Sequence, residues 1–213
     1  MLRHVQKLFA PLIAALLAVN ALADEPLVRE SRPVANISAV SLKGSGDVVI
    51  TQGSKEELVV EAEKSVLPKI STEVDNGTLS LSMKSGTFHF GKNPKIIYHL
   101  TIKQLNKIAL AGSGDIRAAS LNADKLDIVT SGSGDVRIDS LSAQEINVRI
   151  SGSSGVKLAG KVNSQSIKIA GSGDYGSPEL RSGAASIATL PAPAMPRCGP
   201  PTRSPFPSPA AAT

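Results

Sequence analysis

The sequence predicts an all-β fold: a right-handed β-helix-like solenoid with coils of about 20 residues. Three observations predict it. Apolar residues come in short β-branched runs between Gly-Ser clusters, not in long segments of helical period. A turn motif recurs at Ala111-Gly-Ser-Gly-Asp-Ile116, Ser131-Gly-Ser-Gly-Asp-Val136, Ser151-Gly-Ser-Ser-Gly-Val156 and Ala170-Gly-Ser-Gly-Asp-Tyr175, its first glycines at 112, 132, 152 and 171. Between turns the apolar residues alternate, as in Leu126-Asp-Ile-Val-Thr130 and Val136-Arg-Ile-Asp139, which places neighbouring side chains on opposite faces of an extended chain. A leucine-rich horseshoe shares the repeat length but needs a helical return segment with its own Leu and Asn positions, which these repeats lack.

Taken in order, residues 1–23 form a secretory signal peptide. Arg3, His4 and Lys7 make a basic start, Leu8 to Leu22 is mostly apolar, and Ala21-Leu22-Ala23 is a small-x-small cleavage site. The apolar run falls short of the roughly 20 residues a membrane span requires. No cysteine follows it to carry a lipid anchor. Cleavage removes Arg3 and Lys7 and no acid, so the formal net charge drops from +5 to +3, which gives no ground for nucleic-acid binding. Residues 24–33 follow as a leader segment, and 34–187 as the solenoid domain. Its early part offers strands at Asn36–Leu42, Val48–Thr51 and Leu58–Ala62. Ser71–Val74 and Thr78–Met83 flank Asp75-Asn76-Gly77 as a hairpin, and Lys95–Ile102 alternates as a further strand. This part is the irregular, capping start of the same solenoid or, as the weaker option, a separate domain.

From 188 to 213 the chain is predicted to be a disordered Pro/Ala-rich tail, with eight prolines and no acid from Pro191 onward. The 20-residue period, however, places the next Gly-Ser-Gly-Asp near position 191. If each third codon base is joined to the next two, Pro191-Ala-Pro-Ala-Met195 can encode Gly-Ser-Gly-Asp, and Pro209-Ala-Ala-Ala-Thr213 can encode it again. A change of frame between Ile187 and Leu190 is therefore expected, with at least one further coil lost.

At this point the chain resembles a known family. Valine-rich strands punctuated by Gly-Ser-Gly-Asp before Val or Ile, preceded by Thr51-Gln-Gly53 and Val74-Asp-Asn-Gly-Thr-Leu-Ser-Leu81, resemble the bacterial GIN-domain family of auto-transporter adhesin heads over roughly Val34 to Leu180. The resemblance implies an exported β-helical domain and brings no catalytic residues with it. Two departures stand out: Ser154-Gly155 replaces Gly-Asp in one turn, and the pattern stops after about Ile187.

Chemistry, if present, belongs first to the turns. Gly44, Gly46 and Asp47, Gly112, Gly114 and Asp115, Gly132, Gly134 and Asp135, Gly152, and Gly171, Gly173 and Asp174 are assigned as structural turns. In that reading Gly supplies positive φ while Ser and Asp bond nearby backbone amides. The competing reading, a calcium site, requires six to eight oxygens, and a 20-residue period does not sandwich an ion as nine-residue repeats do. A phosphate cradle fits poorly because the glycines lead into a strand. The single Cys198 excludes a disulfide framework and a cysteine-based zinc site. His89 and His99 are predicted on a strand surface, and no Gly-x-Ser-x-Gly elbow accompanies them. Phe88, Phe90 and Tyr98 form a hydrophobic satellite or a partner patch. Glu56, Glu57, Glu61 and Glu63 are predicted to be solvated on outer faces.

No catalytic, cofactor-binding or metal-ligating residue is assigned. The sequence therefore predicts an exported, non-enzymatic domain, periplasmic, secreted or on the cell surface, that contacts an envelope protein or glycan. The alternative is a polysaccharide-active β-helix enzyme, which the shortage of aromatic residues disfavours.

Overall fold

Residues 25–84, 94–177 and 179–190 are described in the structure, a computed structural model. Residues 1–23, where a signal peptide is expected, and His89, Phe88, Phe90 and the residues beyond Leu190 lie outside the described residues.

The described chain is all-β. Fourteen strands form one sheet around a common hydrophobic core, and a single 3-10 turn, Leu67–Lys69, interrupts them. The strands are β1 Leu27–Arg32, β2 Ala39–Gly44, β3 Asp47–Gln52, β4 Glu57–Glu63, β5 Ile70–Asp75, β6 Thr78–Met83, β7 Ile96–Ile102 and β8 Lys107–Gly112. They continue as β9 Ile116–Ala118, β10 Leu121–Thr130, β11 Val136–Gly152, β12 Gly155–Gly171, β13 Asp174–Gly176 and β14 Leu180–Leu190. The path runs β1-β4-β7-β3-β9-β11-β10-β8-β2-β6-β5, so the sheet nearly closes on itself, with β12, β13 and β14 added beyond β11.

The repeats pair in parallel with the repeats before and after them. Ile116 lies beside Val136 and Ile128 beside Val148, as the sequence spacing predicts. Leu121 pairs with Leu141, Val136 with Val156, and Ile167 with Ile187. Alternation then sorts the faces. In β11 the buried set is Val136, Ile138, Leu141, Ala143, Ile146, Val148 and Ile150, while Arg137, Asp139 and Arg149 remain exposed. Burying each large aliphatic side chain contributes about 1.5–3 kcal/mol, so every repeat carries its own share of the core.

One spacing is 19 residues and not 20, and the structure locates the missing residue. The register slips between Ile138 and Leu141, where Asp139 and Ser140 face Ala159 alone. Gly160 absorbs the slip with φ +128°, and a Cβ there would lie 2.1 Å from the Leu141 carbonyl oxygen.

The early region belongs to the same sheet. Strands β2 and β3, joined by Gly44–Asp47, form a rung between β6/β7 on one side and β8/β9 on the other. The β5/β6 hairpin forms across Asp75–Thr78, with Asn76 at φ 47° and Gly77 at φ 74°. Residues 27–32, which the sequence places in a leader ahead of the domain, form β1 and pair antiparallel with β4. Their alternation is hidden by Arg29, Glu30 and Arg32, which suit an edge strand. At the other extreme, β14 pairs through Leu190, so strand continues three residues past the expected boundary at 187.

Candidate functional site

Each turn motif rests on the one before it. Ser113 donates its backbone N–H to the Gly44 carbonyl at 3.0 Å, Ser133 to Gly112 at 2.9 Å, Ser153 to Gly132 at 3.1 Å, and Ser172 to Gly152 at 2.9 Å. That contact explains the glycines differently from the sequence reading. Positive φ is present at Gly44, Gly46, Gly152 and Gly171 but not at Gly112, Gly114, Gly132, Gly134 or Gly173. The last five are required by closeness: a Cβ on Gly112 would lie 1.9 Å from the Gly44 oxygen, and one on Gly132 1.9 Å from the Gly112 oxygen. The serines contribute the backbone N–H of these contacts, where the sequence suggested bonding to amides nearby in the chain.

The turn aspartates reach across repeats as well. Asp47 Oδ1 accepts the Asp115 N–H at 3.2 Å, Asp115 Oδ1 that of Asp135 at 3.0 Å, and Asp135 Oδ1 that of Gly155 at 2.8 Å. Gly155 has no carboxylate to pass the pattern on, and Asp174 instead donates its N–H to the Ser154 carbonyl at 3.2 Å. Among the described residues no group of three or more His, Cys, Asp or Glu side chains is placed to hold a metal ion. Ser154, the other substituted position, is buried, and its hydroxyl donates to Thr130 Oγ1 within the core.

Several outer charges are paired locally. A column His99, Val49, Arg117, Arg137, Lys157 runs up one face, one residue per rung. Arg117 meets Asp115 at 2.9 Å and Arg137 meets Asp139 at 2.6 Å. His99 Nε2 lies 3.1 Å from Glu61 Oε2, which also takes Arg29 Nε at 2.8 Å. Those contacts, the Arg29 hydrogen bond first and His99 second, hold the Glu61 carboxyl below the usual range. Glu61 is thus ion-paired, not simply solvated. Tyr98 is fully buried in the core, and burial pushes its phenol up to about 12.

Sequence reasoning missed a groove of about 600 Å³ on another face. It arises because residues 103–106 leave β7 and enter β8, climbing past the β2/β3 rung without forming a strand there. Gln52 fills the vacant level. Its Nε2 donates to the Lys103 and Asn122 carbonyls, each at 3.0 Å, and its Oε1 accepts the Asn122 N–H at 2.7 Å, so a side-chain amide substitutes for a peptide. Gln104, Asn106, Asn122, Asp124, Ser142 and Gln144 line the groove, over Ala123 and Ala143. Lys125 and Asp127 at its border are held by Glu145 at 3.0 Å and Asn147 at 3.0 Å. The Thr51-Gln-Gly53 triplet was the available signal, yet nothing local to it indicates a partner 70 residues away.

A parallel-rich sheet with stacked small-residue turns defines an all-β domain. The chain belongs to the family described as "Putative auto-transporter adhesin, head GIN domain", which matches residues 36–189. It is similar in structure to a "putative adhesin" from Bacteroides fragilis, at 27% identity and a TM-score of 0.72 over 78% of this chain and 77% of that one. A "putative adhesin" from Parabacteroides distasonis shares the fold at 21% identity and a TM-score of 0.62, covering 79% and 80% of the two chains. So does a "Putative lipid binding protein" from the same species, at 18% identity and a TM-score of 0.63, covering 78% and 79%. No functionally curated protein matches the chain. Among the described residues no helix is long and apolar enough to cross a membrane.

Proposed function

We propose that this is an exported, non-enzymatic β-solenoid domain that acts outside the cytoplasm by surface contact with an envelope protein or glycan, without a cofactor. The solenoid reading is supported by parallel pairing one repeat apart along β10, β11, β12 and β14, with turn seated on turn. Export is supported by the basic start, apolar run and Ala21-Leu22-Ala23 site of the sequence. The contact mode is carried by one observation: three cations of the repeats are each held by a neighbouring carboxylate. Asp115 holds Arg117, Asp139 holds Arg137 and Glu145 holds Lys125. Such a surface presents a fixed pattern of charge and hydrogen-bonding groups.

A second reading, a polysaccharide-active enzyme, draws on Asp124 and Asp127 lining the same groove. One experiment separates the two. Capture from envelope extracts by the purified chain, without release of reducing ends from envelope polysaccharide, is the expected result. Turnover of polysaccharide overturns the binding role, and recovery of the protein from the cytosolic fraction overturns the compartment.

A further inference from the structure

The groove beside residues 103–106 gathers several unengaged hydrogen-bonding groups into one depression. Gln104, Asn106, Asn122 and Asp124 carry no side-chain hydrogen bond to another described residue, although they line one depression of about 600 Å³. That volume lies within the range of ordinary ligand sites. Gln52 bridges the Lys103 and Asn122 backbones beside the groove, at a level where no strand forms.

The lining selects a chemistry. Two lysines, Lys103 and Lys125, and two aspartates, Asp124 and Asp127, leave it without net formal charge. A polyanion therefore gains no field there. The apolar residues of the lining are Ala123, Ala143 and Leu105, and Leu105 is fully buried, so little apolar surface is open to grip an anchor. Carboxamides offer donor and acceptor together, and a carboxylate offers acceptors only. Adjacent hydroxyls on a sugar ring, each both donor and acceptor, complement such a set. We propose that this groove is a binding site for a neutral, hydroxyl-rich oligosaccharide, contacted by Gln104, Asn106, Asn122 and Asp124. The assignment rests on the surface-contact reading above and adds its place and ligand class.

The test uses the purified mature chain and four probes: cellohexaose, maltohexaose, chitohexaose and the polyanion heparin, followed by calorimetry. At least one neutral hexasaccharide binds. Asp124→Ala weakens it about tenfold, the loss of one charge-assisted hydrogen bond, and the double change Gln104→Ala with Asn106→Ala weakens it by about the same factor, the loss of two neutral ones. Lys168→Ala, exposed on β12 and outside the groove, leaves binding unchanged, and thermal melting confirms that the exposed groove variants remain folded. The proposal is overturned if no neutral probe binds at millimolar concentration, if heparin alone binds, or if binding ignores the groove variants. If the groove variants abolish capture of an envelope protein while no sugar binds, the oligosaccharide assignment falls and the surface-contact reading stands. If no envelope component is captured either, both fall.

Discussion

Ser154 and Thr130 are the two buried polar residues among those described, and each accounts for the other. Ser154 stands where other turns have glycine, and its hydroxyl would be stranded in the core without Thr130 Oγ1. Thr130 in turn occupies a column otherwise filled by Leu110, Ile150 and Ile169. Thr130→Val should therefore cost about 1–3 kcal/mol in denaturant unfolding, the penalty of an unpaired buried hydroxyl. In the Thr130→Val, Ser154→Gly double variant the two costs should fail to add. Tyr98 is the opposite case, because its buried hydroxyl finds no partner among the described residues. The sequence marked Ser154-Gly155 as a departure but could not reveal its partner 24 residues away. The sequence groups Tyr98 with Phe88 and Phe90, about ten residues before it, while strand alternation points it inward against Val48.

At the scale of elements, the turns fail through backbone contact more than through lost conformational freedom. Gly132→Ala drives a methyl to 1.9 Å from the Gly112 oxygen, and the stacked turns cannot separate without breaking the Ser133 N–H bond. A destabilisation of about 3 kcal/mol, at the upper end for overpacking, is expected in chemical denaturation. Gly176→Ala meets nothing nearer than Lys157 Cγ at 3.7 Å and should be close to neutral. The β1/β4/β7 edge has its own signature in acid. Glu61 is held below its ordinary value in the folded state, so its contribution to stability is present above the unfolded carboxylate range and disappears as pH falls through the lower folded value. Melting temperature followed from pH 6 to pH 3 should drop on that limb in the wild type, and Glu61→Gln should flatten the drop. Strand positions and the β5/β6 hairpin were legible because alternation and the Asn-Gly turn are local signals. The glycines were legible as turns, but the reason for five of them was not, since closeness between repeats leaves no mark within one repeat.

For the whole molecule, period alone was enough to anticipate which residues lie side by side, as with Ile128 and Val148. It could not give the order of the first rungs. That order depends on residues 103–106 skipping a level, a choice made by the assembled sheet and by Gln52. The same register bears on the far end. Ala170 pairs with Leu190, and Gly171, the next residue of β12, stands in the column where Gly112, Gly132, Gly152 and Gly171 stack. Proline stands at 191, whereas the shifted frame can place the first glycine of a Gly-Ser-Gly-Asp there. The nucleotide sequence should carry that motif twice between codons 190 and 213 in the shifted frame. A stop codon there, or loss of either motif, would show the proline-rich segment to be the native continuation.

The two ends of the sheet are built on different plans. At one, β1, β4 and β5 run antiparallel to their neighbours and the 3-10 turn crosses between them, with Arg29, Glu30, Glu73 and Asp75 on the border. At the other, β14 runs parallel to β12, and Arg181 is the single charge in eleven residues. The domain can therefore change its height at one end only. Whole repeats can be added or removed beyond β12 without disturbing any contact of the first hundred residues, whereas an insertion between β4 and β5 would have to rebuild the base. Variation in reach among such domains should come in steps of one repeat, measured from a base of constant shape, with the 103–106 groove at a constant height above it.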